Sequence, residues 1–72
     1  MDKNLLRAYM AGHGDTQTQL AEAMGISLSR LNAKINGTRG AEFSQSEIQF
    51  IANRYQMKAK EVSAVFFADK VS

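Results

Sequence analysis

Cysteine and proline are both missing from this chain. Without cysteine there is no disulfide framework and no thiolate metal site to hold a small fold together. Without proline, nothing fixes a break inside a helix. No apolar run approaches the roughly 20 residues that a membrane span needs, and Met1–Met10 has none of the features of a signal peptide. The expectation is therefore a soluble, cytoplasmic protein. Alternating strand patterns, internal repeats, low-complexity tracts and linkers are absent as well. Charge of either sign is in short excess: nine Lys and Arg stand against seven Asp and Glu, a formal balance of +2. A balance that small does not by itself point to nucleic acid. Seventy-two residues suit one domain, expected over 1–72. A chain of this size buries only about 60% of its unfolded surface, so each apolar side chain has to be well placed.

Helical periodicity runs almost the whole length. Leu5, Leu6, Tyr9 and Met10 make a stripe that predicts a first helix from about Asp2 to Ala11. The Gly12-His13-Gly14 turn ends it. Thr16, with Gln19 three residues on, forms a capping box for a second helix whose inner face is Leu20, Ala21 and Met24. Gly25 supplies a left-handed stop, Ile26 plugs the core, and Ser27 caps a third helix from about Leu28 to Asn36. Gly37 closes that helix and Thr38–Glu42 reads as a loop. Phe43-Ser44-Gln45-Ser46-Glu47-Ile48 then combines a Ser44/Glu47 capping box with a Phe43/Ile48 hydrophobic staple. The fourth helix buries Ile48, Ile51, Ala52 and Tyr55, while Phe50 lies on its far side, tucked under a loop or exposed. A fifth helix, about Lys60 to Ala68, presents Val62, Val65, Phe66 and Phe67. The fold class is all-α, with five short helices.

Cations are unevenly distributed. From Gly25 to Gly40 the charged residues are Arg30, Lys34 and Arg39, with no acid among them; a local basic patch of this kind is what phosphate binding requires, although an ordinary solvated helix face carries charge too. The patch lies in Thr16–Gly37, TQTQLAEAMGISLSRLNAKING. Small Ala21 lets two helices approach, Gly25 permits the turn between them, and Leu20, Ile26 and Leu31 fill the angle. One face of the later helix is then free to enter a major groove. The segment resembles the helix-turn-helix of lambda-repressor-like (Cro/CI, XRE) regulators, small phage Cro-like repressors in particular. The resemblance is carried by Gln17, Leu20, Ala21, Gly25, Ser27, Ser29, Leu31, Asn36 and Gly37, then Phe43 and the Ser44 box.

A compact five-helix lambda-repressor-like domain, with the helix-turn-helix in helices two and three, is what the resemblance implies. It also implies roles. Positions matching Leu28, Ser29 and Ala33 touch base edges, the one matching Gln17 touches a phosphate, and Asn36 with the loop after Gly37 meets the backbone. The residues have suitable chemistry. Ser29 donates or accepts at a base edge, Ala33 suits a thymine methyl, Arg30 pairs with guanine or holds a phosphate, and Asn32 suits adenine. Lys34, Thr38 and Arg39 are phosphate candidates, and Ser27 is expected among the DNA-binding residues as well. At about 100° per residue, Ser29 and Ala33 point away from Leu31 and Ile35. Many family members carry glutamine, braced by the residue matching Gln17, where this chain has Leu28. Leucine forms no such bridge, so Leu28 is either buried beside Leu31 and Ile35, the reading the wheel favours, or set against a thymine methyl.

Enzymatic chemistry finds no support. His13 sits between glycines as a turn residue, and the glutamates at 22, 42, 47 and 61 lie on different elements. No cofactor, small-molecule substrate or membrane partner is expected. The expected partner is double-stranded DNA in the form of an operator, palindromic where a homodimer binds it, with half-sites about 34 Å apart. The apolar tail around Phe66 and Phe67 either packs on the first helix or supplies the dimer contact. The reading is a Cro-like transcriptional repressor of phage or prophage type; an antitoxin-like or anti-repressor interaction module on the same fold is the alternative.

Overall fold

Five helices appear in the computed structural model, which describes residues 1–68; the last four positions of the expected 1–72 domain lie outside the described residues. They are α1 (Lys3–Gly12), α2 (Gln17–Met24), α3 (Leu28–Asn36), α4 (Gln45–Arg54) and α5 (Ala59–Phe66), with one 3₁₀ turn at Thr38–Gly40. No strand occurs among the described residues. The capping signals at Thr16, Ser27 and Ser44 act as expected, and α1 adds one that the sequence reading did not name. Asp2 accepts the Leu5 N–H at 3.0 Å to start α1, and Thr16 with Gln19 starts α2 through a reciprocal pair of bonds at 3.1 and 2.8 Å. Ser44 and Glu47 repeat that pair for α4 at 3.2 and 2.8 Å. Helix α5 begins differently, with the Glu61 carboxylate accepting the Lys58 N–H at 2.7 Å.

Three of the helix ends share one device. After α2, Gly25 adopts φ 75°, so its N–H reaches the Glu22 carbonyl and the Ile26 N–H reaches Ala21, both at 3.1 Å. This doubled closure satisfies carbonyls that the helix leaves unpaired and turns the chain sharply. Gly14 and Asp15 close α1 in the same way on Ala11 and Met10. Gln56 and Met57 close α4 on Asn53 and Ala52, with Gln56 at φ 54°, a conformation a side chain adopts at some cost. The first and fifth helices deviate slightly from expectation: α1 runs one residue further, and α5 starts and stops earlier than Lys60–Ala68.

The core is built from every helix: Leu6 and Met10, Leu20 and Ala21, Leu31 and Ile35, Ile51, then Val65 and Phe66, with Tyr55 at the end of α4. Phe43 and Ile48 pack against it from outside, and the Phe43 ring meets Phe66 edge-on at 5.8 Å. Helix α5 lies on both α1 and α4. The Asp2 N–H donates to the Val65 carbonyl at 2.7 Å, tying the start of the chain to α5. Phe66 is thus buried against the monomer, whereas Phe67 is 59% exposed and Phe50 is exposed too.

One polar network spans the fold. Asp15, in the turn before α2, accepts from Arg54 Nε and a terminal guanidinium nitrogen at 2.8 and 2.9 Å and from the Tyr55 hydroxyl at 2.5 Å. The bidentate guanidinium holds the Asp15 carboxyl below its ordinary 3.8; burial opposes this, and the Tyr55 hydroxyl assists it. Burial and the neighbouring Asp15 carboxylate push the Tyr55 phenol well up. Because the folded pKa is depressed, the Asp15 contribution is complete above the unfolded value and disappears as pH falls through the folded one. Replacing Asp15 with alanine should cost about 1–3 kcal/mol by stranding the Tyr55 hydroxyl, and asparagine should cost less. In thermal melts the gap between wild type and Asp15→Asn should be constant near neutrality and close below pH 3.8; a gap independent of pH would disprove the linkage.

Candidate nucleic-acid interface

Position on α3 follows from what its inward residues demand. Leu31 and Ile35 are buried, and Ser27 starts the helix by accepting the Arg30 N–H at 3.1 Å. Gly37, at φ 68°, ends it with its N–H on the Ala33 carbonyl. Ala21 is 2% exposed where α2 meets α3, so its single methyl sets how closely the two helices pack. The orientation of α3 therefore depends on the short side chain at 21 and the left-handed residue at 25.

Outward residues form a coherent surface. Ser29, Arg30 and Asn36 are exposed, and Asn32 and Ala33 are half-buried. At about 100° per residue, Ala33 and Asn36 lie within about 40° of Ser29, and Asn32 about 60° away. Gln17, the first residue of α2, is half-buried, and Thr38 and Arg39 are exposed on the turn after α3. Arg30 and Arg39 form no ion pair among the described residues. Arg39 has φ 54° between Gly37 at 68° and Gly40 at 76°, so three of four consecutive residues are left-handed. Glycine would be the less strained choice at 39; a long cation held there presents its charge beyond the end of α3.

Two sequence expectations change. Leu28 is 42% exposed, which corrects the preference for burial beside Leu31 and Ile35. As the first residue of α3 it stands where the helix has not yet turned onto the core. Lys34, expected as a phosphate ligand, is instead engaged within the protein. Its Nζ donates to Glu47 Oε1 at 3.0 Å and to the Glu42 carbonyl at 3.2 Å, with the two side chains only 13% and 21% exposed. Burial raises the Glu47 pKa, but the Ser44 N–H and the Lys34 ammonium together bring it below its ordinary value. The Lys34–Glu47 and Asp15–Arg54 pairs join residues 13 and 39 positions apart, and no local pattern announces either one. His13 is exposed in its turn, as expected, with its ring 5.1 Å from that of Tyr55.

Among the described residues no three His, Asp or Glu side chains gather where a metal could sit, and no helix is long and apolar enough to cross a membrane. What the surface does offer is hydrogen-bonding and small apolar groups on one helix face, and two exposed guanidinium groups, of Arg30 and Arg39, that form no ion pair among the described residues. Replacing Ala21 with phenylalanine should cost roughly 1–3 kcal/mol by overpacking the α2–α3 angle; an unchanged melting temperature would show that the angle does not depend on this residue. A family model described as helix-turn-helix matches residues 6–62. No curated protein and no solved structure matches the chain.

Proposed function

Because the chain belongs to the helix-turn-helix family of lambda-repressor-like, XRE type, a DNA-binding regulator family, we propose that it is a Cro-like repressor of phage or prophage type, acting in the bacterial cytoplasm. It lays α3 in the major groove of an operator and excludes competing proteins from that site. The observation that carries this reading is the outward face of α3, together with exposed Arg30 and Arg39, which form no ion pair among the described residues. Ser29, Asn32 and Ala33 read base edges, and Leu28 contributes an apolar contact. Gln17, Ser27, Asn36, Thr38 and Arg39 hold the sugar-phosphate backbone and set the register. Arg30 serves either purpose according to the base it meets.

A palindromic operator is read by two copies related by a two-fold axis. Phe67 is the most exposed large apolar side chain in the described structure. It supports a homodimer in which the end of α5 meets its counterpart on DNA. The same exposed ring supports the interaction-module reading, in which a different protein covers it. Binding to DNA separates the two.

Fluorescence anisotropy on mixed-sequence duplexes over a salt series is the direct test. Affinity should fall steeply with salt, because each neutralised phosphate releases counterions. Arg30→Ala and Arg39→Gly together should flatten the slope by about 0.9 for each phosphate that is no longer neutralised. Glycine is chosen at 39 because it suits the left-handed backbone, so the melting temperature should hold or rise while affinity drops. A folded wild type that ignores DNA at low salt would overturn the regulator reading in favour of the interaction module.

Leu28 gives a second, chemical test on a selected operator. Deoxyuridine in place of thymidine removes only the C5 methyl. The exchange at the contacted position should weaken wild-type binding by about 1 kcal/mol, the value of one buried methyl-sized group. The Leu28→Ala protein should be nearly indifferent to it. Equal sensitivity in both proteins would remove Leu28 from the base-reading set.

A further inference from the structure

The segment from Gly37 to Ser44 carries Thr38 and Arg39, yet it is poorly supported by the core. None of the residues in its 3₁₀ turn is buried. Beneath it lies a cleft of about 560 Å³, lined in part by Ile35, Ala41, Phe43 and Phe66. Three left-handed residues in this stretch leave its backbone with few helical bonds of its own. Something must hold Arg39 in place, and beyond the Ser44/Glu47 cap at its far end two contacts reach the segment. Phe43 packs on Phe66, and Lys34 spans from α3 to the Glu42 carbonyl and the Glu47 carboxylate.

We propose that Lys34 is a positioning residue for the DNA-binding surface, and not itself a phosphate ligand: its ammonium clamps the Gly37–Ser44 segment between α3 and the start of α4. Three observations support the assignment. Lys34 lies about 140° around α3 from Ser29, away from the outward face. Its side chain is largely enclosed, at 13% exposure. Its partner Glu47 is itself fixed, since the same oxygen accepts the Ser44 N–H at 2.8 Å. The clamp therefore joins the recognition helix, the segment bearing Arg39 and the cap of α4 at a single carboxylate. A basic residue within the basic stretch thus contributes geometry while Arg30 and Arg39 contribute field. The inference rests on the DNA-binding reading and assigns the source of that surface's order.

Lys34→Met and Glu47→Gln, assayed with wild type on one duplex across a salt series, test it. Glutamine at 47 retains the capping acceptor, as Gln19 does for Thr16, but removes one negative charge and so leaves the Lys34 ammonium only a weaker, neutral acceptor in place of the carboxylate that holds it. Simple electrostatics then predicts tighter binding to DNA, whereas loss of the clamp predicts weaker binding. Expected are affinities lowered roughly 2- to 30-fold in both variants, with wild-type salt slopes. Lys34→Met with a slope shallower by about 0.9 would mean that Lys34 had been neutralising a phosphate and would overturn the proposal, as would Glu47→Gln binding as well as wild type or better. Circular dichroism checks folding; should Lys34→Met not fold, Glu47→Gln decides the matter alone. Wild type that fails to bind at low salt would instead overturn the DNA-binding reading, and the proposal with it.

Discussion

The left-handed turn at Gly25 fixes how α3 is presented. Once Gly25 and Ile26 donate to Glu22 and Ala21, α3 leaves α2 in a direction with little freedom. Ala21, Leu20 and Leu31 are buried in the angle so formed. Every outward residue of α3 inherits its position from this junction. A helix of nine residues is marginal alone in water, so α3 holds its shape because it is docked. Rigid presentation follows from packing and not from helix propensity.

The same economy recurs at the other junctions. Three helices end in paired closures around a left-handed residue. Four begin with a side-chain oxygen on the third amide of the helix, those after Asp2, Thr16, Ser27 and Ser44. In a chain of this size such local bonds matter, since the core alone supplies modest stability. They also shorten the connections, which brings five helices around one cluster of apolar side chains.

Charge is sorted by the fold into two kinds. Arg54 and Lys34 are neutralised inside the protein by Asp15 and Glu47 and serve as braces between segments distant in sequence. Arg30 and Arg39 are left without acidic partners among the described residues. The small overall balance of +2 thus conceals a local cationic surface. Using two cations as braces weakens the field little, because each one also cancels the acid that holds it.

The helices and their caps were legible along the chain, because the signals for them act over three or four residues. Thr16/Gln19, Ser44/Glu47, Gly25 and Gly37 are short-range bonds and dihedral preferences written side by side, and the stripes Leu31/Ile35 and Ile51/Tyr55 need only one helical turn to show. Gln56 escaped notice because its left-handed conformation is imposed on a residue that does not prefer it. Tertiary structure alone decided that Lys34 faces Glu47, that Arg54 seizes Asp15, and that Leu28 emerges into solvent instead of continuing the buried stripe. Those outcomes turn on where distant segments meet, and a wheel drawn on one helix contains no information about the neighbour that covers it or fails to.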